Sequence, residues 1–220
     1  MKSFFAIAIL LLTFSVSFSQ NEQSPIVEKE IAYKNWQLKD VRTGEARDLR
    51  QMIAGKKLVI VVYYAPWCGN WKHDVPFVQK FYDKYKANGL EIIGVGEYDP
   101  VSSMKANLDA FKVTFPVVYE SEGRRDKQKT QHYKYRTATG DFRGWGSPWY
   151  IFLDPAKLEK KGDTLLTKTH VINGEMIEAE GEKFIRERLG LLAVDTKAAV
   201  AEKGNVEVCD PAKSAQLIKP

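Results

Sequence analysis

One short apolar run followed closely by a cysteine most constrains how this chain folds. Residues 58–64 read LVIVVYY; the run has no helical period and is rich in β-branched and aromatic side chains, which is typical of a central strand buried on both faces. Cys68 comes just after this run and just before an amphipathic helical pattern. The sequence therefore predicts a cysteine at the carboxyl end of a strand, the edge where open α/β sheets place reactive groups.

The predicted position of Cys68 also has an electrostatic consequence. The first turn of a helix presents unpaired backbone N–H groups and the positive end of the helix dipole, and both favour an anion. We therefore expect the thiolate form of Cys68 to be stabilised.

The rest of the chain continues an alternation of strands and helices. Two consecutive strand–helix–strand units predict parallel pairing with right-handed crossovers. The predicted strands are 58–64, 90–96, 115–119 and 149–153, with a hairpin of 164–171 and 175–178 across Asn173-Gly174. The predicted helices are 71–88, one capped by Ser102 or Ser103 that ends near residue 112, 126–136 and 180–191. A hairpin and short helix, over residues 36–40 and 48–53, precede the central strand.

Two separated motifs carry a family resemblance. Residues 67–72 read WCGNWK with Pro76 beyond them, and residues 146–154 read GSPWYIFLD. The first resembles the W-C-G-P-C-K site of the thioredoxin-fold superfamily, and the second resembles its cis-proline loop. Asp74 and Pro76 fit the TlpA-like branch, which lies close to the AhpC/TSA-type redoxins. The resemblance implies an α/β thioredoxin-like fold: a central mixed sheet flanked by helices, an N-terminal hairpin extension, and an insertion (121–145) before the cis-proline loop.

One departure from the family pattern changes the expected chemistry. Trp71 stands where the resolving cysteine of a C-x-x-C pair should be, so a dithiol cycle cannot run on positions 68 and 71. The backbone N–H of Trp71 is still expected to donate to the Cys68 sulfur. Cys209 is a candidate distant resolver, although it could also form a structural bridge, link two chains or stay free.

The resemblance assigns roles to the residues around this thiol. As catalytic residues it implies Cys68, Trp71, Asp74 and Pro148, and as substrate-binding residues Trp67, Gly69, Asn70, Ser147 and Trp149. Asp74 would tune the thiol or shuttle a proton, against the alternative of an exposed helix carboxylate. Trp67, Trp71, Trp145 and Trp149 would form an apolar platform, against the alternative that they belong to the core. No metal ligands and no cofactor are predicted, because the three histidines are scattered and no nucleotide fingerprint occurs.

The N-terminus predicts export. Lys2 and an apolar run over residues 4–14 read as a signal peptide, 1–19, cleaved after Ser19. This leaves 220 − 19 = 201 residues in the periplasm or secreted, with no later apolar run long enough to span a membrane. The expected organisation is a linker over 20–32, a thioredoxin-like domain over 33–192 and a tail over 193–220.

The small positive net charge of the chain bears on one class of partner, nucleic acid. The formal net charge of +5 falls to +4 when Lys2 is removed with the signal, so nucleic acid is not an expected partner. The basic residues between 124 and 136 are interpreted as a solvated helix face, with an anionic partner as the alternative. The expected partners are exported protein thiols or disulfides, or a redox partner protein.

Three functions remain open from sequence alone. The first is an exported thiol-disulfide oxidoreductase that acts through Cys68 alone or with Cys209. The second is a one-cysteine peroxidase, although Val61 and Ala65 stand where the peroxidatic pattern requires a proline and a hydroxyl residue. The third is a redox-inactive peptide-binding or chaperone-like module.

Overall fold

The computed structural model describes residues 22–191. The predicted signal peptide, Cys209 and the predicted tail lie outside this part of the chain. The predicted mixed α/β architecture is confirmed, with one large mixed sheet flanked by helices. Within residues 22–191, no helix combines the length and the apolar character needed to cross a bilayer.

Eight strands form the main sheet, and two short strands form a separate parallel pair. The strands are β1 Gln23–Ser24, β2 Val27–Lys34, β3 Gln37–Asp40, β4 Ala46–Asp48, β5 Leu58–Tyr64, β6 Leu90–Gly96, β7 Val117–Tyr119, β8 Trp149–Leu153, β9 Thr164–Ile172 and β10 Glu175–Met176. The main sheet has the order β2-β9-β8-β5-β6-β7-β3-β4, while β1 pairs with β10. The pairs β5–β6 and β6–β7 are parallel, as the strand–helix–strand pattern predicted.

In the described part of the chain, five α-helices accompany the strands. They are α1 Leu49–Met52, α2 Gly69–Tyr85, α3 Val101–Ala110, α4 Gln131–Ala138 and α5 Glu178–Arg188. Helix α2 continues into a 3-10 turn, Lys86–Asn88, and the chain turns at Gly89 with a left-handed φ of 104°, a conformation that glycine adopts without steric cost. Helix α3 is capped by Pro100 rather than by the predicted serine.

The central strand divides two hydrophobic layers. All seven residues of β5 are buried, and alternate side chains point to opposite faces. Ile60, Val62 and Tyr64 pack with the buried stripe of α2, while Val59, Val61 and Tyr63 pack beneath α1 and α4. The strand that carries Cys68 is thus fixed from both sides.

The predicted hairpin at Asn173-Gly174 is wrong. Strand β9 pairs with β2 and β8, whereas β10 pairs with β1. A Cβ atom at Gly174 would lie 2.2 Å from the Glu22 carbonyl oxygen. Glycine is therefore needed here because the backbone of the N-terminal segment approaches closely, and not because of a hairpin turn. The Asn173 side chain is bonded to Trp149 and Thr139.

The predicted linker over residues 20–32 is also wrong for its described part. Residues 23–24 and 27–34 form strands, and Ile31 and Tyr33 are buried. Only one side of this edge strand packs on the core, so its apolar side chains alternate with exposed charged ones. The many charged residues make the segment resemble a linker in the sequence.

The path from β2 to β3 requires a strongly curled sheet. The two strands lie six positions apart in the strand order, about 29 Å in a flat sheet, yet only residues 35–36 separate them, a connection of about 11 Å at most. Strand β2 has register irregularities after Glu30, and Tyr33 near its end contacts the central Tyr63, with 2.9 Å between the hydroxyl oxygens. The end of β2, still paired with β9, therefore curls over the face of the sheet that carries Tyr63.

Candidate active site

The candidate active site lies where β5 ends and α2 begins. Cys68 is the N-cap residue of α2, in an extended conformation, and is partly exposed. Its thiol donates to the Ser147 carbonyl oxygen at 3.1 Å, and the Ser147–Pro148 peptide bond is cis. The Ala65 N–H donates to the Ser147 hydroxyl at 2.9 Å. These bonds hold the proline loop against the cysteine.

The hydrogen bond expected from the Trp71 amide to the sulfur is not formed. The Cys68 side chain makes no capping bond to the helix, because the thiol turns toward Ser147 instead. A protonated thiol is a donor and takes a carbonyl acceptor, whereas a thiolate would need a donor such as a helix N–H. The contact between Cys68 Sγ and the Ser147 carbonyl oxygen at 3.1 Å therefore requires the sulfur to be the donor.

The Trp71 side chain is built into the core. It is fully buried and stacks on Tyr64 with 4.4 Å between ring centroids. Its indole N–H donates to Asn107 Oδ1 at 3.1 Å, and the Asn107 amide donates to the Pro66 carbonyl oxygen at 3.3 Å. The residue in the position of a resolving cysteine therefore ties the loop before Cys68 to helix α3.

Asp74 is a buried carboxyl group rather than an exposed one. Its Oδ2 atom accepts from the Tyr150 hydroxyl at 2.6 Å and from the Met176 N–H at 2.9 Å. Burial raises the pKa of Asp74 to about 6, although these hydrogen bonds oppose the shift. Asp74 follows Cys68 by six positions in the sequence, which corresponds to about 9 Å along a helix axis. The exposed-carboxylate alternative is thereby excluded.

His73 lies between two acidic side chains, Asp74 and Glu175. Its Nδ1 atom lies 3.2 Å from Asp74 Oδ1 and 3.8 Å from Glu175 Oε2. One ligand atom from each of these three residues lies within 4.8 Å of the others, so within residues 22–191 they form the group that could hold a metal ion. Sequence analysis predicted no metal ligands and missed this group, because Glu175 reaches it only through the pairing of β10. The histidine itself already bridges the two carboxyl groups.

The four tryptophans predicted to form a platform separate into two pairs. Trp71 and Trp149 are fully buried, which corrects the expectation that Trp149 contacts substrate. The inward face of β8 requires a large apolar side chain there, and the Trp149 indole N–H donates to Asn173. Trp67 and Trp145 are partly exposed and meet edge to face at 5.2 Å.

Gly69 and Asn70 lie beside the thiol as predicted from the motif, but Asn70 already has a partner. Gly69 is exposed, and the Asn70 amide donates to Glu22 Oε2 at 2.6 Å. The same carboxylate oxygen accepts from Arg143 at 2.8 Å, and Arg143 also donates to the Pro148 carbonyl oxygen at 2.8 Å. The N-terminal segment thus bridges the two loops of the site.

Helix α4 supports the proline loop through residues that sequence analysis interpreted as solvated. His132 and Arg136 are buried, which corrects that interpretation; their four-residue spacing places them on one helix face. The pKa of His132 falls to about 3 because burial disfavours its cation. The neutral ring accepts from the Tyr98 hydroxyl at 2.9 Å, and its Nε2–H is assigned as donor to the Gly146 carbonyl oxygen at 3.0 Å. Arg136 donates to the carbonyl oxygens of Asp141 and Arg143.

Glu97 is a further buried acid that the sequence did not single out. It follows β6 at the same edge of the sheet, and burial raises its pKa well above the usual range. Its Oε2 atom accepts from the Ser121 hydroxyl, while Oε1 has no partner among the described residues. Burial, together with the nearby Glu120 carboxyl group, favours the protonated form of Glu97.

Sequence comparisons match this chain to one protein family and to individual relatives. A sequence model described as the AhpC/TSA family matches residues 30–155. The thiol-disulfide oxidoreductase ResA of Oceanobacillus iheyensis is 25% identical over 124 residues, which are 56% of this chain and 64% of that protein. The sporulation thiol-disulfide oxidoreductase A of Bacillus subtilis is 28% identical over 91 residues, 40% of this chain and 54% of that protein. The chain thus matches less than two thirds of the length of these relatives.

Structural comparisons concern the fold. A thiol:disulfide interchange protein of the thioredoxin family from Chlorobium tepidum aligns with a TM-score of 0.51 and 17% identity, covering 73% of this chain and 97% of that chain. The thioredoxin domain of a thiol-disulfide oxidoreductase from Bacteroides vulgatus aligns with a TM-score of 0.50 and 18% identity, covering 71% and 97%.

Proposed function

The chain belongs to the AhpC/TSA family and has a thioredoxin-like fold, and from this premise we propose that it exchanges thiols and disulfides through Cys68. The single observation that carries the proposal is the contact between the Cys68 thiol and the Ser147 carbonyl oxygen beside the cis-proline. A thiol at a helix N-terminus, facing a loop with backbone groups available to an extended chain, is suited to attack on a substrate sulfur.

The proposed reaction is a single thiol–disulfide exchange. The Cys68 thiolate attacks one sulfur of a substrate disulfide, a new sulfur–sulfur bond forms, and the other sulfur leaves as a thiolate that takes up a proton. Loss of the thiol proton removes the donor from the Ser147 carbonyl oxygen, which can then accept from a backbone N–H of the bound substrate.

Release from the mixed disulfide requires a second thiol. Trp71 supplies none, so the attacking thiol is either Cys209 or a thiol of the substrate or partner protein. In either case the attack returns Cys68 as a thiolate and leaves a disulfide on the other participants.

The neighbouring residues take supporting roles in this proposal. Asp74, with a pKa raised to about 6, is a candidate to hold or release a proton, and His73 contacts its Oδ1 atom at 3.2 Å. Trp67, Gly69 and Asn70 contact the substrate on one side of Cys68, and Ser147 and Pro148 do so on the other. Trp149 has a structural role.

We place this activity outside the cytoplasm. The proposal depends on the signal-like sequence over residues 1–19, which precedes the described residues. Exported proteins with cysteines or disulfides, or a dedicated redox partner, are the expected substrates.

The test is capture of a mixed disulfide in the full-length mature chain. We predict that wild-type protein and a Cys209→Ser variant both form a covalent adduct with a peptide disulfide, whereas Cys68→Ser forms none at position 68. The adduct is located by mass spectrometry after proteolysis under non-reducing, acidic conditions.

The same preparation separates the alternatives. Peroxide consumption that depends on Cys68, without peptide adducts, would favour the one-cysteine peroxidase. Peptide binding by Cys68→Ser that equals the wild type, with no adduct in any variant, would contradict the exchange proposal and favour the redox-inactive binding module.

A further inference from the structure

We infer that the exchange site selects polypeptide segments with acidic side chains near the reacting sulfur, through a surface formed by Trp67, Arg124, Lys127 and Trp145. We call it the indole surface. The inference rests on the proposed function and specifies its substrate class.

The indole surface joins both loops of the thiol site. Trp67 directly precedes Cys68, and Trp145 lies two residues before Ser147. Their edge-to-face contact at 5.2 Å therefore bridges the cysteine loop and the proline loop. A chain bound between these loops must pass beside the two rings.

Cations lie over both indole rings. The Arg124 guanidinium is 4.6 Å from the Trp67 ring centroid, and the Lys127 ammonium is 5.0 Å from that of Trp145. Lys127 also donates to the Gly144 carbonyl oxygen at 2.9 Å, which fixes its position. Stacking leaves the edge of a guanidinium able to donate to a carboxylate in the plane of the group.

Among the described residues, these two cations have no carboxylate partner. Across residues 22–191, neither Arg124 nor Lys127 forms an ion pair, while the nearby Asp126 is paired with Lys129 at 3.0 Å. Residues 122–129 contain four basic and two acidic side chains, a net charge of +2. The surface next to the reactive sulfur is thus positively charged and complementary to an acidic segment.

A polypeptide fits this surface better than a free anion does. The two cations lie over two different rings, Arg124 over Trp67 and Lys127 over Trp145, so each can meet a separate group of a bound chain. Once Cys68 has lost its proton, the Ser147 carbonyl oxygen of the cis-proline loop can accept from the backbone of an extended chain. An acidic residue close to the substrate cysteine would reach Arg124 while its sulfur reaches Cys68.

The test uses peptides that differ only in charge. Each carries one cysteine activated as a 2-thiopyridyl disulfide and is flanked by glutamate, glutamine or lysine. Attack by Cys68 on the peptide sulfur forms the Cys68–peptide disulfide and releases pyridine-2-thione, which is followed by absorbance. In a Cys209→Ser background we expect the glutamate peptide to react about tenfold faster than the lysine peptide at low salt, with the ratio falling as salt is added.

Arg125 provides a matched control for Arg124. Both arginines are exposed and neighbouring, and among the described residues only Arg124 of the two stacks on an indole ring. We expect Arg124→Ala to lower the glutamate-to-lysine rate ratio about threefold, and Arg125→Ala to lower it by a smaller factor. Equal effects of both variants, or equal rates for the three peptides in the parent protein, would overturn the inference.

A binding measurement keeps this test independent of the thiol. The same peptides with serine in place of cysteine are titrated against the full chain by isothermal calorimetry. If no activated peptide reacts but the acidic peptide binds more tightly than the basic one, the proposed exchange fails and the acidic selectivity stands. Reaction with all three peptides at one rate would contradict the acidic selectivity and leave the proposed exchange standing.

Discussion

At the scale of single residues, Asp74 makes the stability of the fold depend on pH. Its carboxyl group is buried between α2 and β8, where Tyr150 and Met176 donate to it. The raised pKa means that the folded chain binds this proton more tightly than the unfolded chain does. Stability therefore falls as the pH rises from about 4 to about 6, because the unfolded chain releases the proton first.

Replacing Asp74 by asparagine removes this dependence. Asp74→Asn keeps an oxygen that can accept from Tyr150 but cannot ionise, so its stability advantage over the wild type should grow between pH 4 and pH 6, by about 2–3 kcal/mol. Urea unfolding at several pH values measures the difference. The exposed Asp109→Asn variant is the control, and a difference for Asp74→Asn that stays flat with pH would contradict the prediction.

At the scale of elements, the pairing of β1 with β10 fastens the N-terminal segment to the active-site side of the molecule. The Glu175 N–H donates to the Glu22 carbonyl oxygen at 3.0 Å, and the Glu22 side chain reaches Asn70 and Arg143. This contact depends on the absence of a side chain at Gly174.

A methyl group at position 174 should therefore release β1. We expect Gly174→Ala to lower the free energy of unfolding by about 1–3 kcal/mol, as overpacking against rigid backbone does, and to speed amide exchange around residues 22–24. Gly144→Ala is the matched control, because a Cβ there meets nothing within 4 Å. Equal losses of stability in the two variants would show that β1 does not depend on the close approach.

At the scale of the whole molecule, local pattern predicted the middle of the sheet and failed at its periphery. Strands β5, β6 and β8 are continuous apolar runs covered on both sides, so their bounds follow from the sequence. The placements of β2 and β10 depend on distant partners, which no local pattern encodes.

The candidate site divides in the same way. The motifs placed Cys68 at the start of α2 and Pro148 in a cis peptide bond. The supports for that loop, His132 and Arg143, lie in a polar segment whose composition resembles a solvated surface. The burial of His132 and the partial burial of Arg143 follow from tertiary contacts with backbone carbonyl oxygens, so composition could not predict them.

The burial of Trp71 bears on the evolutionary history open to this chain. A single Trp71→Cys replacement would restore the C-x-x-C spacing but would remove the stack on Tyr64 and the donor to Asn107. We expect it to cost about 3–5 kcal/mol under reducing conditions, measured by urea unfolding against the wild type. A loss of this size would have to be offset by changes in the residues that pack on Trp71. A protein with this core therefore needs more than one substitution to gain a two-cysteine site.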